Sequence, residues 1–190
     1  MFPTFKIIYA ALRRWHIADF ALLLVCGILT GAICGGIANA INGKVCPEYF
    51  EYIFVRWPLK DVYFNSIKEG IFEGMWVGII ISPIFTLFVL IVSKASCRFT
   101  RSWTYLLKIA AIDLACWFTA GMAGVVGARM FPNFYSIVRE IGGNDMDRYR
   151  LLWVGFSIWG TLYGGIVALI FGCIWFWRDW KTKPALRYKV

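Results

Sequence analysis

Four ionisable side chains stand inside or at the rim of long apolar stretches, and they are the residues best placed to do chemistry: Glu69, Glu73, Asp113 and Arg129. A charge in hydrocarbon is costly unless paired or hydrated, so each marks an ion pair, a structural hydrogen bond or a transport route. Glu69 and Glu73 are one helical turn apart at the start of one apolar stretch, and Arg129 closes another. If the two stretches cross a bilayer in opposite directions, Glu73 and Arg129 fall at similar depth and can pair. Asp113 lies deeper, with Lys108 the nearest charge along its own helix and a serine, tyrosine or tryptophan expected as its hydrogen-bond partner. Two readings are open for these groups: ion pairs and hydrogen bonds that lock a bundle, or a proton or ion route.

Catalytic sets are missing. His16 is the only histidine, and there is no HExxH, GxSxG or phosphate-binding loop, so hydrolysis and phosphoryl transfer have no machinery. The six cysteines form no CxxC pair, and with one histidine neither a metal nor any other cofactor is expected. Glu69 and Glu73 could in principle share acid–base work, but carboxylates at i and i+4 more often make a wet helix face. The chain reads as non-enzymatic.

The elements that must position these residues are helices in a membrane. The 190-residue chain is 60% hydrophobic, with a mean hydropathy of +0.66, far above an ordinary globular composition. Ile17 to Ile41 carries only Asp19, Gly74 to Ser93 no charge, Ile109 to Ala128 only Asp113, and Leu151 to Trp177 none. About 20 apolar residues span a hydrocarbon core of about 30 Å. The blocks do not alternate as barrel strands do. The expectation is an all-α, single-domain integral membrane protein, with transmembrane helices near 17–42, 68–93, 104–130 and 150–177. The first block is preceded by basic residues, as a signal peptide is. It is too long and lacks a small-x-small cleavage site, so it is read as an uncleaved first helix.

Charge placement sets the orientation. The tails and the loop between the second and third spans hold 12 basic residues and only Asp179 as an acid, whereas the other two loops hold 8 basic residues and seven acids. Lys and Arg collect on the cytoplasmic side, so both termini are expected there. The net charge of +9 then belongs to a membrane face that attracts anionic lipids, not to a nucleic-acid surface.

Small residues repeat at i, i+4 in every span, among them Gly31, Gly35, Gly74, Gly78, Gly124, Gly160 and Gly164. Such stripes let helices approach closely, the packing reading; lining a pore or a dimer seam is the functional one. Pro83 should kink the second span, with Ser82 and Thr86 able to satisfy freed backbone groups. The halves 17–93 and 104–177 resemble tandem copies of a two-helix unit related by an axis along the membrane normal. Each outer loop opens on proline and aromatics: Pro47, Glu48, Tyr49, Phe50, then Pro132, Asn133, Phe134, Tyr135. Pro47 with Glu48 suits a helix start, predicting a short interfacial helix that Pro58 ends. Trp175 to Trp180 reads as an anchor at the inner interface.

The segment Val45-Cys46-Pro47-Glu48-Tyr49-Phe50, with Glu69-Gly70-Ile71-Phe72-Glu73-Gly74 after it, resembles a family of uncharacterised bacterial multi-pass membrane proteins. Those proteins carry a Ser-Pro-Glu-Tyr-Phe motif in an extracytoplasmic loop, and here Cys46 replaces the serine. The resemblance implies a bacterial inner-membrane setting and brings no activity with it. Two functions are expected: a structural, assembly or accessory subunit packing against other membrane proteins or its own copies, or a small transporter or channel using Glu73, Asp113 and Arg129. A lipid-modifying enzyme rests on the interfacial loops alone.

Overall fold

The structure is a computed structural model that describes residues 17–53, 61–94, 96–131 and 145–182. Five helices fill them: α1 (Ile17–Val45), α2 (Pro47–Ile53), α3 (Val62–Ser93), α4 (Phe99–Met130) and α5 (Asp145–Thr182). No strand occurs among the described residues. α1, α3, α4 and α5 are each long and apolar enough to cross a membrane, which makes this an all-α, multi-pass membrane protein. Even α1, with 29 residues, is about 44 Å long and overreaches the hydrocarbon core.

Three helices start earlier than the apolar blocks suggest, because their first turns mix polar with apolar residues. α3 begins at Val62 rather than near 68, where the Asp61 carboxylate accepts from the Phe64 amide at 3.0 Å. α4 begins at Phe99 rather than 104, and α5 spans Asp145–Thr182 rather than 150–177. α3 stops at Lys94, whose left-handed backbone (φ 50) lets its amide close on the carbonyls of Leu90 and Ile91. α3 continues through Pro83 as one helix. Ser82, expected to relieve that proline, instead spans to α1, its hydroxyl 3.2 Å from the Leu24 carbonyl. Thr86 Oγ1 has no partner.

The helices are apolar outside and small or polar inside. On α1, Val25, Leu29, Ile33 and Ile37 are exposed, while Leu23, Gly35, Asn39 and Asn42 are buried. α3 buries Ser66, Gly70, Gly74, Gly78 and Ser82 and exposes Phe72, Trp76 and Ile80. Lipid accepts the large side chains as readily as a core does, so packing selects the small ones for the interior.

Two hairpins result. α1 packs along α3 and α4 along α5, while α1 meets α4, and α3 meets α5, over shorter seams. α3 and α4 are diagonal, with no packed seam between them.

The end carrying α2 is here the α2 end, and the other, where α1 begins and α5 finishes, the tail end. At the tail end the core is apolar: Leu23, Phe85, Val89, Leu106 and Ile109 gather around Phe176. The Phe176 ring meets Tyr105 edge-on at 5.3 Å and stacks on Trp180 at 5.7 Å. The expected interface anchor is thus split, with Phe176 and Trp180 in the core and Trp175 and Trp177 exposed. α2 starts at Pro47 as the sequence suggests. Trp57, Pro58 and the second loop's Pro132 to Asn144 lie outside the described residues, as do the basic residues before Ile17 and after Thr182.

Candidate functional site

The polar interior of the bundle is a chain of hydrogen bonds near the α2 end. Asn42 is fully buried. Its Oδ1 accepts from Trp153 Nε1 at 3.2 Å and lies 3.2 Å from the Ser157 hydroxyl, both on α5. Its Nδ2 donates to Asn39 Oδ1 at 3.3 Å, and Asn39 Nδ2 donates to Glu73 Oε2 on α3, also at 3.3 Å. Donors run in one direction, from α5 through α1 to the Glu73 carboxylate, so each bond polarises the next toward the anion.

Glu73 opens into a cavity of about 370 Å³ between α1, α3 and α5. Glu69, Asn39, Phe72, Trp76 and Trp117 share its wall. Among the described residues, no lysine or arginine pairs with Glu69 or Glu73. The expected Glu73–Arg129 pair does not form, because the helices that carry them are diagonal across the bundle. Arg129 is exposed near the end of α4, apart from the cavity. An expectation built on depth carries no information about which helices are neighbours.

Asp113 is 8% exposed, and its Oδ1 has no hydrogen-bond partner. The serine, tyrosine or tryptophan partner expected for it is absent among the described residues. Lys108 is engaged elsewhere, over the rings of Tyr105 and Trp175. The carboxylate instead faces the glycines of α5: a Cβ on Gly164 would stand 3.2 Å from Asp113 Oδ1. Asp113 also lines a void of about 40 Å³ with Thr30, Gly31, Cys34, Val77 and Ser82, room enough for a small number of water molecules. Val77 lines both this void and the Glu73 cavity, and Trp117, one turn from Asp113, lines the latter. Toward the tail end, Leu106, Ile109, Phe85 and Phe176 close the interior.

The loop motif is a clamp. Phe50 and Cys46 are buried beside Val154 of α5. Arg150 pairs with Glu48 at 3.6 Å, and its Nε donates to the Val45 carbonyl. Burial pushes the Cys46 thiol up to about 11. Burial also raises the Tyr49 hydroxyl, and the charges of Glu73 and Cys46 add to it. Pro47 and Glu48 open α2, so the motif fixes where α1 turns over toward α5.

The glycines singled out by their spacing are all at helix seams. Gly31, Gly35, Gly74 and Gly78 bring α1 and α3 backbone to backbone, while between α4 and α5 Gly124 and Gly160 meet both backbone and side chains and Gly164 meets side chains alone. Asn39, Asn42, Ser157, Trp117 and Trp153 were missed. The available signal was two asparagines three residues apart in an otherwise apolar span, a polar pair that hydrocarbon tolerates only with partners.

All six cysteines are free, and no cluster of metal-binding side chains occurs among the described residues. Neither protein-family models, nor curated proteins, nor solved structures give a match to this chain.

Proposed function

We propose that this protein is a bacterial inner-membrane protein, with both termini cytoplasmic, that conducts a small cation rather than catalysing a reaction. One observation carries the reading: the unpartnered, buried Asp113 faces an interior void that adjoins the acidic Glu73 cavity. A carboxylate kept only for packing would have a partner, since an unsatisfied buried polar group costs about 1–3 kcal/mol. In the proposed orientation the Glu73 cavity faces outward, and the aromatic core at the tail end is the barrier to be crossed. Arg129 has no part in the route.

The test is flux of protons or monovalent cations in proteoliposomes. Wild type should show a flux that Asp113→Asn and Glu73→Gln each lower at least tenfold while the protein stays folded. No flux, or flux indifferent to both changes, refutes the reading.

A second reading, an accessory or assembly subunit or a homo-oligomer, is favoured by the outer surface of α1. There Ala32, Gly36 and Ala40 line an apolar groove with Ile33, Ile37 and Ile71. Small residues at that spacing suit a neighbouring helix. Extraction in mild detergent decides it, and a protein that elutes alone and monomeric removes it. The basic inner face would hold anionic lipids in either case.

A further inference from the structure

The Glu73 cavity is more than a widening of a proton route, because its wall has the chemistry of a headgroup site. Glu73 and Glu69 place two carboxylates at one end without a basic partner among the described residues. Phe72 and Trp76, ring centroids 6.1 Å apart and edge-to-face, stand beside them, both about half exposed to the lipid side. Trp117 forms part of the wall, is 7% exposed, and its indole N–H has no acceptor. Ile158 and Leu162 of α5 complete an apolar flank, and Leu162 is exposed.

Each component selects a part of a ligand. Carboxylates and aromatic rings together favour an ammonium group, by charge and by the attraction of a cation to a ring face. The second carboxylate, Glu69, can accept from a hydroxyl beside that ammonium. The apolar flank, continuous with side chains that face lipid, suits an aliphatic tail left in the bilayer. A volume of about 370 Å³ is at the small end of ligand pockets, enough for a headgroup and not for a whole amphiphile.

We infer that this cleft between α3 and α5 binds the headgroup of an aminoalcohol amphiphile that enters sideways from the outer leaflet. The ammonium lies between Glu73 and the Phe72–Trp76 pair, and the hydroxyl donates to Glu69. This goes beyond the cation-conducting reading and does not depend on it. The ammonium could also come from a water-soluble amine, so the assay separates the two sources.

The experiment is equilibrium binding to the full chain in dodecyl maltoside micelles, with N-dodecylethanolamine as the amphiphile and ethanolamine as the free headgroup. N-dodecylethanolamine should bind saturably, one per chain, and ethanolamine at least a hundredfold more weakly. Glu73→Gln should weaken amphiphile binding at least tenfold. Gln keeps an oxygen for Asn39, so the fold is expected to persist. If that variant does not fold, Trp76→Leu at an exposed position should give at least a threefold loss. Saturable binding lost in the variant supports the site. No saturable binding, binding indifferent to the variant that folds, or equal affinity for ethanolamine overturns it. Loss of Asp113-dependent flux with amphiphile binding intact would remove conduction and leave the cleft standing.

Discussion

The two hairpins use glycine for different ends. Between α1 and α3 it brings backbones together: a Cβ on Gly35 would stand 2.0 Å from the Gly70 carbonyl oxygen, and one on Gly70 2.3 Å from that of Gly35. Gly31 and Gly74 repeat the reciprocal pattern at 2.3 and 2.1 Å. The hydrogen occupying each Cβ direction therefore meets a carbonyl oxygen, a weak bond of about 0.5–1 kcal/mol that only a glycine can make here. Between α4 and α5 glycine makes sockets. Gly121 receives Trp153, Gly124 receives Phe156 and Gly172 receives Ile109. Each seam has some of both, since Gly124 and Gly160 also approach the Leu152 and Cys116 carbonyls and Gly27 and Gly43 receive serine side chains, but only the α1–α3 seam repeats the reciprocal carbonyl contact. The first hairpin carries Asn39, Asn42 and Glu73; the second contributes the ring and hydroxyl donors that Asn42 satisfies.

The largest effect should come from adding one methyl to the α1–α3 seam. Gly35→Ala forces α1 and α3 apart and should cost about 3 kcal/mol or more, whereas Gly172→Ala, which must displace the Cγ1–Cδ1 arm of the buried Ile109, should cost about 1–2 kcal/mol. Equal losses in thermal unfolding in detergent would erase the distinction between the seams. Next comes the link between hairpins. Asn42→Ala leaves the Trp153 N–H without its acceptor and should cost about 1–2 kcal/mol, while Asp113→Asn, which breaks no bond, should stay within about 0.5 kcal/mol of wild type. A Asp113→Asn penalty as large as that of Asn42→Ala would show that Asp113 is structural.

The joint at the α2 end has its own pH signature. The Cys46 thiol, ordinarily at 9.0, is raised to about 11 in the folded protein. The stability it contributes is full below pH 9 and is lost as pH climbs toward 11. Maleimide labelling of Cys46 at pH 8 should accordingly be slow in the folded protein and fast in denaturant. Rapid labelling of the folded form would mean the clamp is open. A small effect of opposite sign belongs to Gly155, where a Cβ meets nothing within 4 Å. Gly155→Ala should stabilise α5 by about 0.5–1 kcal/mol, through helix propensity alone.

Apolar length made the four spans legible from residue types, because hydropathy needs no knowledge of neighbours. Their starts were not, since Val62 to Ile67 and Phe99 to Trp103 mix polar and apolar residues and are placed by Asp61 and by the turn at Lys94. The acidic residues of the site were legible as costly charges. Their partners were not: Glu73 was matched to Arg129 by depth, and adjacency around the bundle, which depth does not contain, gave it Asn39 instead. Asn39 and Asn42 carry no charge, so a search weighted toward ions passed over the residues that tie three helices together.

The five residues between Ser93 and Phe99 join diagonal helices, and a chain that short reaches only about 20 Å. The tail ends of the two hairpins are therefore tethered like the arms of a pair of tongs. At the opposite end the hairpins are joined by the Asn42 bonds and the Arg150 clamp, so the acidic cleft lies beside a non-covalent joint rather than the covalent one.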